Sequence, residues 1–178
     1  NDATCRGRTT EKCRWSSGPI VASPYLHLGA YGPRRVEFPE DPQAEPFTWT
    51  LRDNPHSLLD VADLVFIDPA GTGFSRVAPG KDPRDYWSIV ADGQQVSAFI
   101  AAWLRRHGRL ASPKFVFGES YGTHRAAEVG RQLASLPEPV LLDGIVLFGQ
   151  AVNIVEYSQR PRNIVSYVVS LPTLAATA

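Results

Sequence analysis

The sequence predicts an α/β fold, a parallel sheet with flanking helices, on three observations. Residues 62–68 (ADLVFID) are a continuous apolar run of strand length, as expected of a buried parallel strand, and 140–148 read as a further apolar strand. Residues 85–107 carry an apolar stripe at Val96, Phe99, Ile100, Trp103 and Leu104, while Gln94, Gln95, Arg105 and Arg106 take the other side. Residues 114–130 (KFVFGESYGTHRAAEVG) read as a short strand, a glycine-flanked serine and a second helix. Strands alternating with helices of this length imply βαβ units, which pair strands in parallel.

Residues 1–18 are polar and rich in Arg, Thr and Ser. They show neither alternation nor a helical stripe, and predict a disordered or poorly packed arm. The folded domain is expected over 19–178. Residues 23–32 (SPYLHLGAYG) are apolar with small residues. Residues 34–38 and 47–51 form two short strands around FPEDPQAEP, a predicted hairpin. After the strand at 62–68, Pro69 and the glycines of PAGTGFS impose a loop. Asp68 and Gly71-Thr72-Gly73 lack both the third glycine of a dinucleotide fingerprint and a P-loop lysine. That loop is therefore expected to be structural, lining a cleft at the carboxyl edge of the sheet.

Gly108 follows the helix at 85–107, where a left-handed cap is common, and His107 closes it where the helix dipole favours a cation. Trp87 and Trp103 are expected in the core. A strand at 115–117, a helix at 121–136 and the strand at 140–148 complete the alternation. Residues 151–178 mix Pro, Asn and apolar segments, and no element is assigned there.

Composition narrows the function. Eighteen Lys and Arg balance 18 Asp and Glu, so no basic field points to nucleic acid. No apolar run approaches the roughly 18 residues of a membrane span, and residues 1–12 lack the basic start and apolar middle of a signal peptide. The absence of Met is expected of a mature product or a fragment. Cys5 and Cys13 form either one local disulfide or two thiols, and without a His or Cys partner pair they are not a metal signature. No metal or cofactor is expected.

Gly118-Glu119-Ser120-Tyr121-Gly122 fits G-x-S-x-G, a sharp strand-to-helix turn that lifts a serine hydroxyl clear of the backbone. Ser120 is the expected nucleophile; the alternative is a structural turn whose serine only caps the helix. The backbone N–H of Tyr121 is placed by such a turn to donate to an oxyanion. Glu119 would repel a substrate carboxylate unless one of the two is protonated; alternatively it is an acid stabilised at a helix N-terminus. In this type of site the triad runs Ser, acid, His along the chain. After Ser120 the only histidine is His124, one turn along the same helix and beside the serine's stem, so it is not expected to act as base. His27, His56 and His107 precede the serine, and Asp143 comes before the apolar stretch 144–148 of its strand instead of after it, at the wrong end of the sheet for a triad acid.

Residues 54–76 (NPHSLLDVADLVFIDPAGTGFSR) followed by 114–129 resemble the serine carboxypeptidase family, its bacterial members in particular. Residues 26–36 resemble the segment after that family's glycine-rich motif, and LPTLAATA a stretch beyond its nucleophile strand. The resemblance covers about residues 22–178. It implies an α/β-hydrolase fold, truncated at its C-terminal side, so that 19–178 form a partial domain. It also implies release of C-terminal amino acids from peptides with a free C-terminus, through an ester on Ser120, outside the cytoplasm or in an acidic organelle. By resemblance, Gly18 supplies the second oxyanion N–H. Glu119, with the motif Asn, binds the substrate's terminal carboxylate.

The family carries N-G-G-P-G-S-x-S where residues 16–23 read SSGPIVAS. Ser16 thus stands at the Asn position and predicts weaker carboxylate recognition. With triad acid and base missing, the chain alone is expected to be inactive. Rival readings are an esterase or aminopeptidase, or a non-catalytic hydrolase-like binding domain, which the altered glycine motif favours. Neither a nucleic-acid nor a membrane partner is expected.

Overall fold

The computed structural model describes residues 12–17, 26–41, 43, 45, 48–151, 162 and 164–177. A four-stranded parallel sheet is built from β1 (Lys12–Ser17), β4 (Ala62–Phe66), β5 (Lys114–Glu119) and β6 (Gly144–Phe148), in the order β4-β1-β5-β6. A hairpin of β2 (Arg34–Glu37) and β3 (Thr50–Asp53) stands apart as an antiparallel pair. Helix α1 (Ile89–Arg106) connects β4 to β5, and α2 (Tyr121–Ala134) connects β5 to β6. Both crossovers step the same way along the sheet, so right-handed connections place both helices on one face. A third helix, α3 (Ile164–Thr177), follows.

The stripe of α1 buries as its spacing requires. Val96, Ile100 and Leu104 meet Ala126, Val129 and Leu133 of α2 over Val65 and Val116 of the sheet, and all eight are 2% exposed or less. Phe99 and Trp87 correct the expectation: they are 40% and 72% exposed. The helix starts at Ile89, capped by Ser88 Oγ accepting from Ala91 N–H, after a separate 3-10 turn at Pro83–Tyr86. Trp87 therefore precedes the helix and lies off its stripe, and Phe99 lies at the stripe's margin. Trp103 is buried and stacks on His107, which caps the helix, and Gly108 takes φ +65° beyond it.

The arm expected over 1–18 needs a correction across Lys12–Ser17. These six residues form β1, flanked by β4 and β5, with Ser16 beside both Phe66 and Phe117. A central parallel strand satisfies its backbone from both sides, and a side-chain pattern does not report that. Residues 1–11, with Cys5, lie outside the described residues.

The predicted hairpin forms, with its second strand later than expected, at Thr50–Asp53; Phe47 lies outside the described residues. Opposite charges fit this register, Arg34 meeting Asp53 at 3.5 Å and Arg52 meeting Glu37. Asn54, which follows, is buried and donates to the carbonyls of Ala30 and Gly32 at 2.8 and 2.9 Å. That amide ties the hairpin to a π-helical turn at Leu26–Tyr31. The turn covers part of the second sheet face: His27 stacks on Phe66 with centroids 4.3 Å apart, and Tyr31 meets the edge of Phe117 at 5.0 Å. Burial pushes the His27 imidazole pKa down. The helix at Ile164–Thr177 falls where no element was assigned, because Pro172 reads locally as a breaker.

Candidate active site

Strand β5 runs straight into the turn. Gly118 is buried, and a Cβ there would sit 2.1 Å from the carbonyl oxygen of Gly122 and 2.9 Å from the Thr123 nitrogen. Backbone approaches backbone so closely that only glycine fits. Ser120 then takes φ 53°, ψ −118°, a conformation that costs a non-glycine residue about 1–3 kcal/mol. The surroundings hold it there. Ser120 N–H donates to the carbonyl of Phe148 at the end of β6 (3.0 Å), and Ser120 C=O accepts from the Thr123 N–H (3.0 Å) and hydroxyl (2.7 Å). Thr123 is fully buried, and its hydroxyl also accepts from Ala151 N–H at 2.9 Å. The side chain of Ser120 makes no cap bond to the helix, which removes the capping alternative. Helix α2 begins at the next residue, so its positive end faces the serine.

The predicted site residues gather unequally. Glu119, Ser120 and Tyr121 are consecutive and half-buried at the carboxyl end of β5, with Glu119 beside Phe148 of β6. Ser16 lies in β1, with Ser17 next to Gly118, so the end of β1 reaches the same edge of the sheet. Gly18 lies outside the described residues.

His124 sits with its ring 6.1 Å from the Tyr121 ring, tilted 49°, and among the described residues no hydrogen bond joins it to Ser120. Asp143 lies at the far end of the sheet. Its carboxylate accepts from the backbone N–H of Lys114 at 2.7 Å, and Lys114 is six strand residues, about 20 Å, from Ser120. Among the described residues no cluster of His, Cys, Asp or Glu could hold a metal ion.

Loop 68–75 follows β4 at the same edge. Asp68 Oδ2 accepts from Phe74 N–H at 3.0 Å, and a Cβ on Gly73 (φ +49°) would meet that carboxylate at 2.3 Å. Asp68 thus shapes the loop internally.

Sequence reading missed Asp92, Gln95, Thr123 and Arg125. Asp92 and Arg125 are 4% exposed, and Arg125 Nε donates to Asp92 Oδ2 at 2.6 Å. Tyr121 Oη donates to the same oxygen at 3.3 Å. Burial, then the Asp92 charge, pushes the Tyr121 phenol pKa up and keeps it protonated as a donor. One signal was present: Asp92 continues the apolar stripe at i−4 from Val96, where a charge is out of place.

The pattern of the family described as serine carboxypeptidase matches residues 18–147. The human retinoid-inducible serine carboxypeptidase is 29% identical over 128 residues, 70% of this chain and 27% of that protein. The crystal structure of Kex1(Δ)p, a prohormone-processing carboxypeptidase from Saccharomyces cerevisiae, superposes with a TM-score of 0.55 at 22% identity. That match covers 78% of this chain and 30% of the yeast chain. The fold is that of an α/β-hydrolase, and this chain spans less than a third of the length of either relative.

Proposed function

The chain belongs to the serine carboxypeptidase family, and on that premise we propose that it carries the nucleophile of a serine-type carboxypeptidase, Ser120. The observation that carries this reading is the backbone of Ser120, a non-glycine residue held at φ 53° between a parallel strand and a helix N-terminus. Ser120 Oγ attacks the carbonyl of the last peptide bond, and its proton passes through a base to the departing amine. A free amino acid leaves, and water then hydrolyses the Ser120 ester. Tyr121 N–H donates to the oxyanion, and Gly18 N–H is the second donor. Losing one such donor raises the barrier by about 3 kcal/mol. Glu119, with Ser16, binds the substrate's terminal carboxylate. No cofactor takes part in this scheme.

The test is a pair of N-blocked peptides, one with a free C-terminus and one amidated, given to the longest natural chain that carries these residues. Release of the terminal amino acid from the first alone, lost in Ser120→Ala, is the expected result. Equal turnover of both indicates a peptidase that does not require the free carboxylate, and binding without turnover indicates a non-catalytic domain. The 178 residues alone are expected to react with a fluorophosphonate probe far more slowly, because among the described residues no hydrogen bond joins His124 to Ser120. Rapid stoichiometric labelling of Ser120 would show that the base lies within them.

A further inference from the structure

Asp92 joins three parts of the molecule that the sequence keeps apart. It lies in the first turn of α1, where an unpaired carboxylate would be costly to bury. Its Oδ2 accepts from Arg125 Nε in α2 and from the Tyr121 hydroxyl at the turn, and its Oδ1 accepts from Gln95 Nε2 at 3.3 Å. Gln95 passes the connection on: its Oε1 accepts from the backbone N–H of Ala70, 2.8 Å away, in the loop after β4. The Arg125 guanidinium also lies over the Tyr121 ring, 5.3 Å from its centroid. The residue next to the nucleophile is thus held by its hydroxyl and its ring.

A buried ion pair stabilises little compared with apolar residues of the same shape. The dipole of α1 favours an acid in its first turn but gives no reason to bury one. The partners do: one is the residue after Ser120, and another leads to the loop at the same edge of the sheet.

We propose that Asp92 is a positioning residue, setting the nucleophile turn through Tyr121 and Arg125 and the facing loop 68–75 through Gln95. The inference rests on Ser120 being the nucleophile, yet its structural half is measurable without turnover. Backbone amide exchange is followed by NMR in the longest natural chain carrying these residues. The Ser120 and Thr123 amides report the turn, Ala70 reports the loop, and Ile100 and Leu133 report the core.

Asp92→Asn is expected to speed exchange at Ala70, Ser120 and Thr123 by about tenfold or more and leave Ile100 and Leu133 unchanged. Gln95→Ala is expected to act at Ala70 alone. On the free-C-terminus peptide, Asp92→Asn lowers kcat roughly 10- to 100-fold, as a misplacement of about 1 Å does, with KM nearly constant. Should Asp92→Asn not fold, the paired change Asp92→Leu with Arg125→Met removes both charges together and carries the same expectation.

Unchanged exchange at the turn and loop, or acceleration spread evenly into the core, overturns the inference. A parent protein with the expected exchange pattern that hydrolyses no peptide overturns the carboxypeptidase reading instead. The coupling of turn and loop to Asp92 then stands.

Discussion

Strands β5 and β6 lie side by side in one sheet and are treated in opposite ways. In β5, Lys114, Val116 and Gly118 are buried, and the strand leads into a turn where the N–H and C=O of Ser120 are both hydrogen-bonded. In β6, Ile145, Val146, Leu147 and Phe148 are all 41–55% exposed. The helices differ likewise. Helix α2 buries Ala126, Val129 and Leu133 completely, whereas Ile164, Val169 and Leu171 of α3 are 64–72% exposed. The backbone of Ser120 is held by hydrogen bonds at both its N–H and its C=O, while apolar side chains at β6 and α3 remain in contact with water.

The largest way to break this contrast is Gly118→Ala. A methyl group there meets the backbone oxygen of Gly122, which has no side-chain freedom to yield. Urea unfolding is expected to show a loss of about 3 kcal/mol, and a variant as stable as the parent would mean the turn relaxes freely. Thr123→Val comes next. It keeps the shape but removes the hydroxyl that bonds Ser120 C=O and Ala151 N–H, at a cost of about 1–3 kcal/mol. Faster amide exchange at Ala151 would accompany it. The smallest effect belongs to the edge. Val146→Lys, on an exposed strand, is expected to change stability by under about 1 kcal/mol. Urea unfolding is the check. A large destabilisation would mean that β6 is packed as β5 is.

The same contrast explains what was legible beforehand. The strand, turn and helix around Ser120 were readable because their causes are local: glycine where no Cβ fits, and an apolar run before an amphipathic one. Trp87 misled because its place depended on where a 3-10 turn gave way to α1. Residues 12–17 misled because their side chains carry no strand pattern, while their partners, β4 and β5, lie far along the chain.

By itself, then, the sequence determined the α/β alternation and the G-x-S-x-G turn, since each follows from spacing within a few residues. Tertiary structure alone decided that Asp92 and Arg125, 33 residues apart, meet beneath Tyr121, and that Gln95 reaches Ala70. Short-range sterics and periodicity act within one element. The pairing of buried charges depends on how two elements are brought together, and no local pattern records that.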